Sequence, residues 1–253
     1  MTGAVYIVGL GPGHPAQLTP EAAEALAAAE VLLGYSSYLA RVPERAGQLR
    51  EASDNGEELA RAAAALEGAV AGQRVAMVSG GDPGVFAMAS AVCEAIERGP
   101  ERWRQVDLHI LPGVTAMLAV AARVGAPLGH DFCAINLSDN LKPWTLVEKR
   151  LAAAAGAGFV LALYNPVSRA RPWQLPAALD LLRRHLPDTT PVVFGRAVGR
   201  ADERVIITAL DEADAGFADM ATCVLIGSAE TRIVKRPGRE PLVYTPRNAR
   251  PSA

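Results

Sequence analysis

The sequence predicts an α/β fold in two domains, on three observations. Short β-branched runs alternate with alanine-rich amphipathic runs along the 253 residues, a Gly-Pro-rich break interrupts the alternation once, and the alternation then resumes. In the first half this pattern specifies strands joined by helices across a parallel sheet. At roughly 100–200 residues per domain, the length suits two modest domains.

Val5–Val8 forms the first strand, followed by a Gly-Pro-rich turn. Thr19 as N-cap and Pro20 at the first helical position open a helix through about Glu30, since the hydroxyl accepts an orphan amide and proline there loses no hydrogen bond. Val31–Leu33 is a short second strand, and a helix from about Glu57 to Val70 stops near Gly72. Arg74–Val78 is a buried strand that runs into the loop SGGDPG, and a helix from about Val85 to Arg98 follows. Val106–Leu111 is another strand, after which PGVTAM turns directly into a helix reaching about Arg123. The break GAPLGHD suits an interdomain connector, which sets an N-terminal domain of residues 1–124 and a C-terminal domain of residues 125–245. The second domain carries strands near 132–137, 159–164, 191–194, 204–208 and 223–226, with helices near 144–155 and 172–185. Residues 246–253 hold nothing that would anchor them and are expected to form a flexible tail.

Composition narrows the function. With 27 acidic against 25 basic side chains and a net charge of −2, no general positive field or basic block exists to hold a nucleic acid. No apolar run approaches the ~20 residues that cross a bilayer, and the N-terminus lacks a signal peptide's basic start, so a cytoplasmic protein without a membrane partner is expected. Cys93, Cys133 and Cys223 are odd in number and widely spaced, which suggests core residues rather than disulfides or a metal site.

Glycine and proline cluster in three loops, GLGPG, GGDPG and PGVTA, each following a strand. At the carboxyl edge of an open α/β sheet, loop amides and helix N-termini point toward a ligand and side-chain-free backbone can approach it closely. The first loop has His14 where a dinucleotide fingerprint needs its third glycine, and Pro12 removes a donor, so a nicotinamide or flavin is disfavoured. No P-loop sequence is present. Asp82, between glycines and a proline at the mouth of a helix, either caps that helix or accepts hydrogen bonds from a ligand. Thr115 carries the same two possibilities.

The segments VGLGPG, SGGDPGVFAMA, PGVTAM, NLSDNLKPW, YNPVSRARPWQ and IGSAETR, together with GYSSYL, resemble the tetrapyrrole methylases from Val5 to about Arg239. NLSDNLKPW, YNPVSRARPWQ and GYSSYL are similar to the branch that couples methylation to contraction of the corrin macrocycle in cobalamin biosynthesis. The resemblance implies two α/β domains with the active site in the cleft between them, S-adenosylmethionine as methyl donor, a precorrin substrate and a homodimer. It puts cofactor-binding positions on Pro12, Gly80, Gly81, Asp82, Val85, Thr115 and Ala116, and in the second domain on Tyr164, Asn165 and Ala197. Related enzymes carry an aspartate after the second strand as proton acceptor; GYSSYL offers Tyr35 instead, which leaves that role open.

A flat macrocycle edged with carboxylates needs locally gathered cations. Arg169, Arg171, Arg196 and Arg200 in turns, with Lys142, are the candidates, each weighed against an ordinary solvated charge. Methyl transfer itself requires alignment rather than a metal or covalent nucleophile, and His14, Asp139 or Tyr35 could supply the acid or base for ring contraction. Four other readings stay open: the same chemistry on a cobalt-containing intermediate, methylation of another ring position or of diphthine, a nucleotide-binding oxidoreductase, and a noncatalytic module that binds S-adenosylmethionine.

Overall fold

The computed structural model describes residues 3–54, 56–168 and 170–248, which divide into two compact units at Thr115/Ala116. In the first unit, β1 (Ala4–Gly9), β2 (Val31–Tyr35), β3 (Leu49–Ser53), β4 (Arg74–Ser79) and β5 (Asp107–Leu111) form one sheet in the order β3-β2-β4-β1-β5. Every pairing in it is parallel, so all five carboxyl ends share one rim. Side chains alternate across it. Val5, Ile7, Val31, Leu33, Val75 and Met77 face α3 (Glu58–Val70) and α4 (Met88–Arg98), while Val8, Leu32, Ala76 and Val78 face α1 (Pro20–Ala28) and α2 (Ser36–Leu39). The result is a sheet covered on both faces, as parallel strands require. Thr19 caps α1 as expected, its hydroxyl accepting the Ala22 amide at 3.2 Å ahead of Pro20.

The second unit also builds a five-stranded sheet, from β7 (Phe132–Asn136), β8 (Val160–Tyr164), β9 (Pro191–Arg196), β10 (Arg204–Ala209) and β11 (Thr222–Ile226) in the order β10-β9-β11-β8-β7. Only β7 and β8 pair in parallel; β11 runs against both β8 and β9, so β7, β8 and β9 point the same way and end on one rim. Leu161, Leu163, Val192, Phe194, Val224 and Ile226 pack on α6 (Trp144–Gly156) and α7 (Gln174–Leu182). α5 (Ala116–Val124) packs on β11, and Val120 lies over Gly195, where a Cβ would come within 2.2 Å of it. That packing corrects the expected boundary after residue 124: α5 belongs to the second unit because its apolar face is buried there.

Two further corrections concern strands and cysteines. A small sheet of β6 (Gly125–Ala126), β12 (Arg232–Arg236) and β13 (Arg239–Tyr244), in the order β12-β13-β6, was not expected, and neither was β3. Of the cysteines only Cys223 is a core residue; Cys133 is partly buried and Cys93 is exposed on α4. Burial pushes the Cys223 thiol up to about 12. Among the described residues no helix is long and apolar enough to cross a membrane. Of the expected tail, residues 249–253 lie outside the described residues.

Candidate functional site

The three glycine loops of the first unit leave β1, β4 and β5 at their shared rim and are tied to one another by main-chain bonds. Gly11 and Gly81 exchange amide-to-carbonyl bonds of 3.1 and 2.9 Å, and the Leu10 amide donates to the Ser79 carbonyl at 2.9 Å. A Cβ on Gly113 would lie 2.3 Å from the Gly81 carbonyl oxygen, and one on Gly9 would lie 2.7 Å from the Gly113 nitrogen. Only glycine fits this convergence, which leaves a rim built of backbone.

Asp82 does not cap the helix that follows; its carboxylate links two of the loops. Its Oδ1 accepts the Gly84 amide at 2.8 Å and its Oδ2 the Gly113 amide at 3.0 Å, so the carboxylate fastens the second loop to the third. The helix that follows starts at Met88 behind Ala87, without a side-chain cap. Arg41 braces the first loop, its Nη2 donating to the Leu10 and Gly11 carbonyls at 2.9 and 2.8 Å. Pro12 and Thr115 are buried, and Gly80, Val85 and Ala116 are partly exposed on the same loops. Tyr35 ends β2 on this rim, its ring edge-to-face with Tyr38 at 5.7 Å, and Tyr38 in turn covers Gly80. His14 is exposed, and its Nδ1 accepts the Ala16 amide at 3.2 Å, capping a single turn at Pro15–Gln17.

In the second unit the candidate residues also gather on one rim, at the ends of β7, β8 and β9. The Tyr164 hydroxyl accepts the Met117 amide at 3.0 Å and so satisfies a first-turn donor of α5. Asn165 donates through Nδ2 to Asn136 Oδ1 at 3.0 Å. Asp139 is held by Arg171 at 3.3 Å and by the buried Gln174 at 2.8 Å, both on Oδ1. Lys142 donates to the Ser138 carbonyl at 2.6 Å; burial, then the charge of Arg150, lowers its pKa. Arg196 donates through Nε to Asp219 and through Nη1 to Asp202, each at 2.7 Å, and these partners, Asp202 foremost, raise its pKa. The expected carboxylate fork of Arg196 is thus spent on the chain's own acids. Arg200 is exposed in the same turn, and Arg169 lies outside the described residues.

Backbone strain marks the same places. Among the described residues, Phe86, Asn165 and Ala197 are the non-glycine residues with positive φ, at 52°, 51° and 48°. Each lies in a loop beyond β4, β8 or β9, and two of them are positions expected to touch cofactor. A left-handed L-residue costs about 1–2 kcal/mol and persists where the surroundings over-determine it, which is characteristic of ligand sites. Sequence reading missed Phe86, Arg41 and Arg61. For Arg61 a signal existed, because it falls in the apolar stripe of α3 with Ala62, Ala65, Leu66 and Ala69.

Comparison with known proteins agrees with this architecture. The family model for tetrapyrrole (corrin/porphyrin) methylases matches residues 4–214. A Sinorhizobium precorrin-3B C(17)-methyltransferase is 66% identical over 98% of this chain and 97% of its own. A probable cobalt-factor III C(17)-methyltransferase of Salmonella typhimurium is 40% identical over 95% of this chain and 97% of its own. The crystal structure of the methyltransferase CobJ superposes with a TM-score of 0.92 at 50% identity, covering 97% of this chain and 100% of that one.

Proposed function

The chain belongs to the tetrapyrrole methylases, and from that premise we propose that it is an S-adenosylmethionine-dependent C-methyltransferase of cobalamin biosynthesis, methylating precorrin-3B at carbon 17 with contraction of the ring to precorrin-4. The observation that carries this reading is the near-full-length identity to the Sinorhizobium enzyme, well above that to the cobalt-factor enzyme. The glycine rim of the first unit supports it, because a bulky, charged methyl donor needs main-chain groups at close range and the loops present them without side chains.

S-adenosylmethionine supplies a methyl group on a sulfonium: the sulfur–carbon bond breaks as the carbon–carbon bond forms, and the sulfur keeps the electron pair. The chain's part is alignment. Pro12, Gly80, Gly81, Val85 and Thr115 form the donor surface of the first unit, with Asp82 holding the loops in register, and Ala116 adds to it from the start of α5. Tyr164, Asn165 and Ala197 are the second unit's donor-contacting residues, the latter two in strained backbone. Arg171, Arg200 and Lys142 gather positive charge for the substrate carboxylates. Proton transfer during contraction falls to Tyr35, Asp139 or His14, whose bond to the Ala16 amide occupies only Nδ1. The enzyme acts in the cytoplasm as a homodimer, without nucleic-acid or membrane partners.

Incubation with methyl-labelled S-adenosylmethionine and precorrin-3B, with cobalt-factor III in parallel, tests the reading. One label per tetrapyrrole and the product mass of precorrin-4 are expected. Labelling of a protein acceptor, or turnover of the cobalt compound alone, would refute it.

A further inference from the structure

The first unit buries a cation that no carboxylate among its described residues pairs with. Arg61 lies at the end of the first turn of α3 and is 7% exposed. Its Nε donates to Ser53 Oγ at 2.6 Å, its Nη2 to the Asp54 carbonyl at 2.9 Å and its Nη1 to Met88 Sδ at 3.3 Å. All three acceptors are neutral. No carboxylate among the described residues reaches ion-pair distance, and the acids nearest in sequence face elsewhere: Glu57 accepts the Asp54 amide at 3.0 Å and Glu58 the Gly56 amide at 3.2 Å.

A guanidinium carries five N–H groups, and these bonds engage one on each nitrogen, leaving a further N–H on each Nη. A buried charge without a counter-charge is strongly unfavourable, and the positive ends of α3 and α4 beside it deepen the deficit. Such a place is completed by an anion. Ser53 ends β3 and Met88 opens α4 just beyond the strained Phe86, so the fork lies on the rim that carries the glycine loops.

We propose that Arg61 is a substrate-recognition residue whose buried fork donates to one peripheral carboxylate of the tetrapyrrole, an assignment that rests on the reading of function given above. Ser53, Asp54 and Met88 hold the guanidinium plane, and its low-dielectric setting makes a two-point carboxylate contact stronger than any at an exposed arginine.

Arg61→Met and Arg61→Lys are assayed with precorrin-3B, and their binding of S-adenosylmethionine is measured by calorimetry. The Met variant is expected to raise the KM for precorrin-3B at least tenfold and the Lys variant less, with donor Kd within twofold of wild type. A folded Met variant with the wild-type KM overturns the assignment, as does a parallel loss of donor affinity, which marks a merely structural brace. If the Met variant does not fold, Arg61→Gln, which keeps a donor for Ser53, is read by the same criteria. Wild-type protein inert toward precorrin-3B would sink the underlying functional reading, and that control reports it separately from Arg61.

Discussion

Asp82 joins the amide of Gly84, two residues beyond it, to that of Gly113, 31 residues beyond it, and so converts two turns into one surface. Bonds to a charged acceptor contribute about 1.5–3 kcal/mol each, reduced here because the carboxylate is partly solvated. Asp82→Ala is therefore expected to cost about 1–2 kcal/mol in denaturant unfolding and to weaken S-adenosylmethionine about tenfold by calorimetry, with Asp82→Asn intermediate. Unchanged donor affinity in a folded Ala variant would remove this residue from the site. The importance of the loop was legible in its glycines, but its partner was not, because Gly113 meets Asp82 only once β4 and β5 flank β1. Arg196 teaches the same lesson. A guanidinium in a turn is visible in sequence, whereas Asp202 and Asp219 become its partners only through the fold.

At the scale of elements, the strongly periodic helices and the buried strands were readable to within a few residues, because both periods are written in apolar side chains. β3, β12 and β13 were not. LREAS and RIVKR are largely exposed and rich in charge, and REPLVY opens on two exposed charged residues and a proline, so the alternation that betrays a strand is missing from them. α5 was legible as a helix but not in its allegiance, which depends on Gly195 opening a gap in β9 for Val120. Gly195→Ala should drive a methyl into Val120, displace α5 and destabilise the protein by about 1–3 kcal/mol, measured as a lowered midpoint of thermal or denaturant unfolding. Because α5 also carries the Met117 amide bonded to Tyr164, the same variant should change Tyr164 fluorescence. A neutral Gly195→Ala would mean that the helix does not depend on that contact.

For the molecule as a whole, the two-unit α/β plan followed from alternation around one break, while the largely antiparallel character of the second sheet did not, since strand direction leaves no trace in a buried apolar run. Burial within each unit predicts its own gradient of opening. β4 and β11 are the middle strands of their sheets, and their residues past the first are buried throughout. Hydrogen exchange should be slowest there and fastest in β12, an edge strand with four exposed residues of five. Equal protection of β12 and β11 would contradict this.

The strand β13 returns to lie beside β6, and Thr245 Oγ1 reaches back over 118 positions to the Pro127 carbonyl at 2.6 Å. During synthesis the ribosome must therefore deliver nearly the entire second unit before β6 acquires its strand partner, whereas the first unit holds all its strands by residue 111. The main-chain groups of 125–127 thus wait longest for their partners, and a chaperone would find its opportunity there.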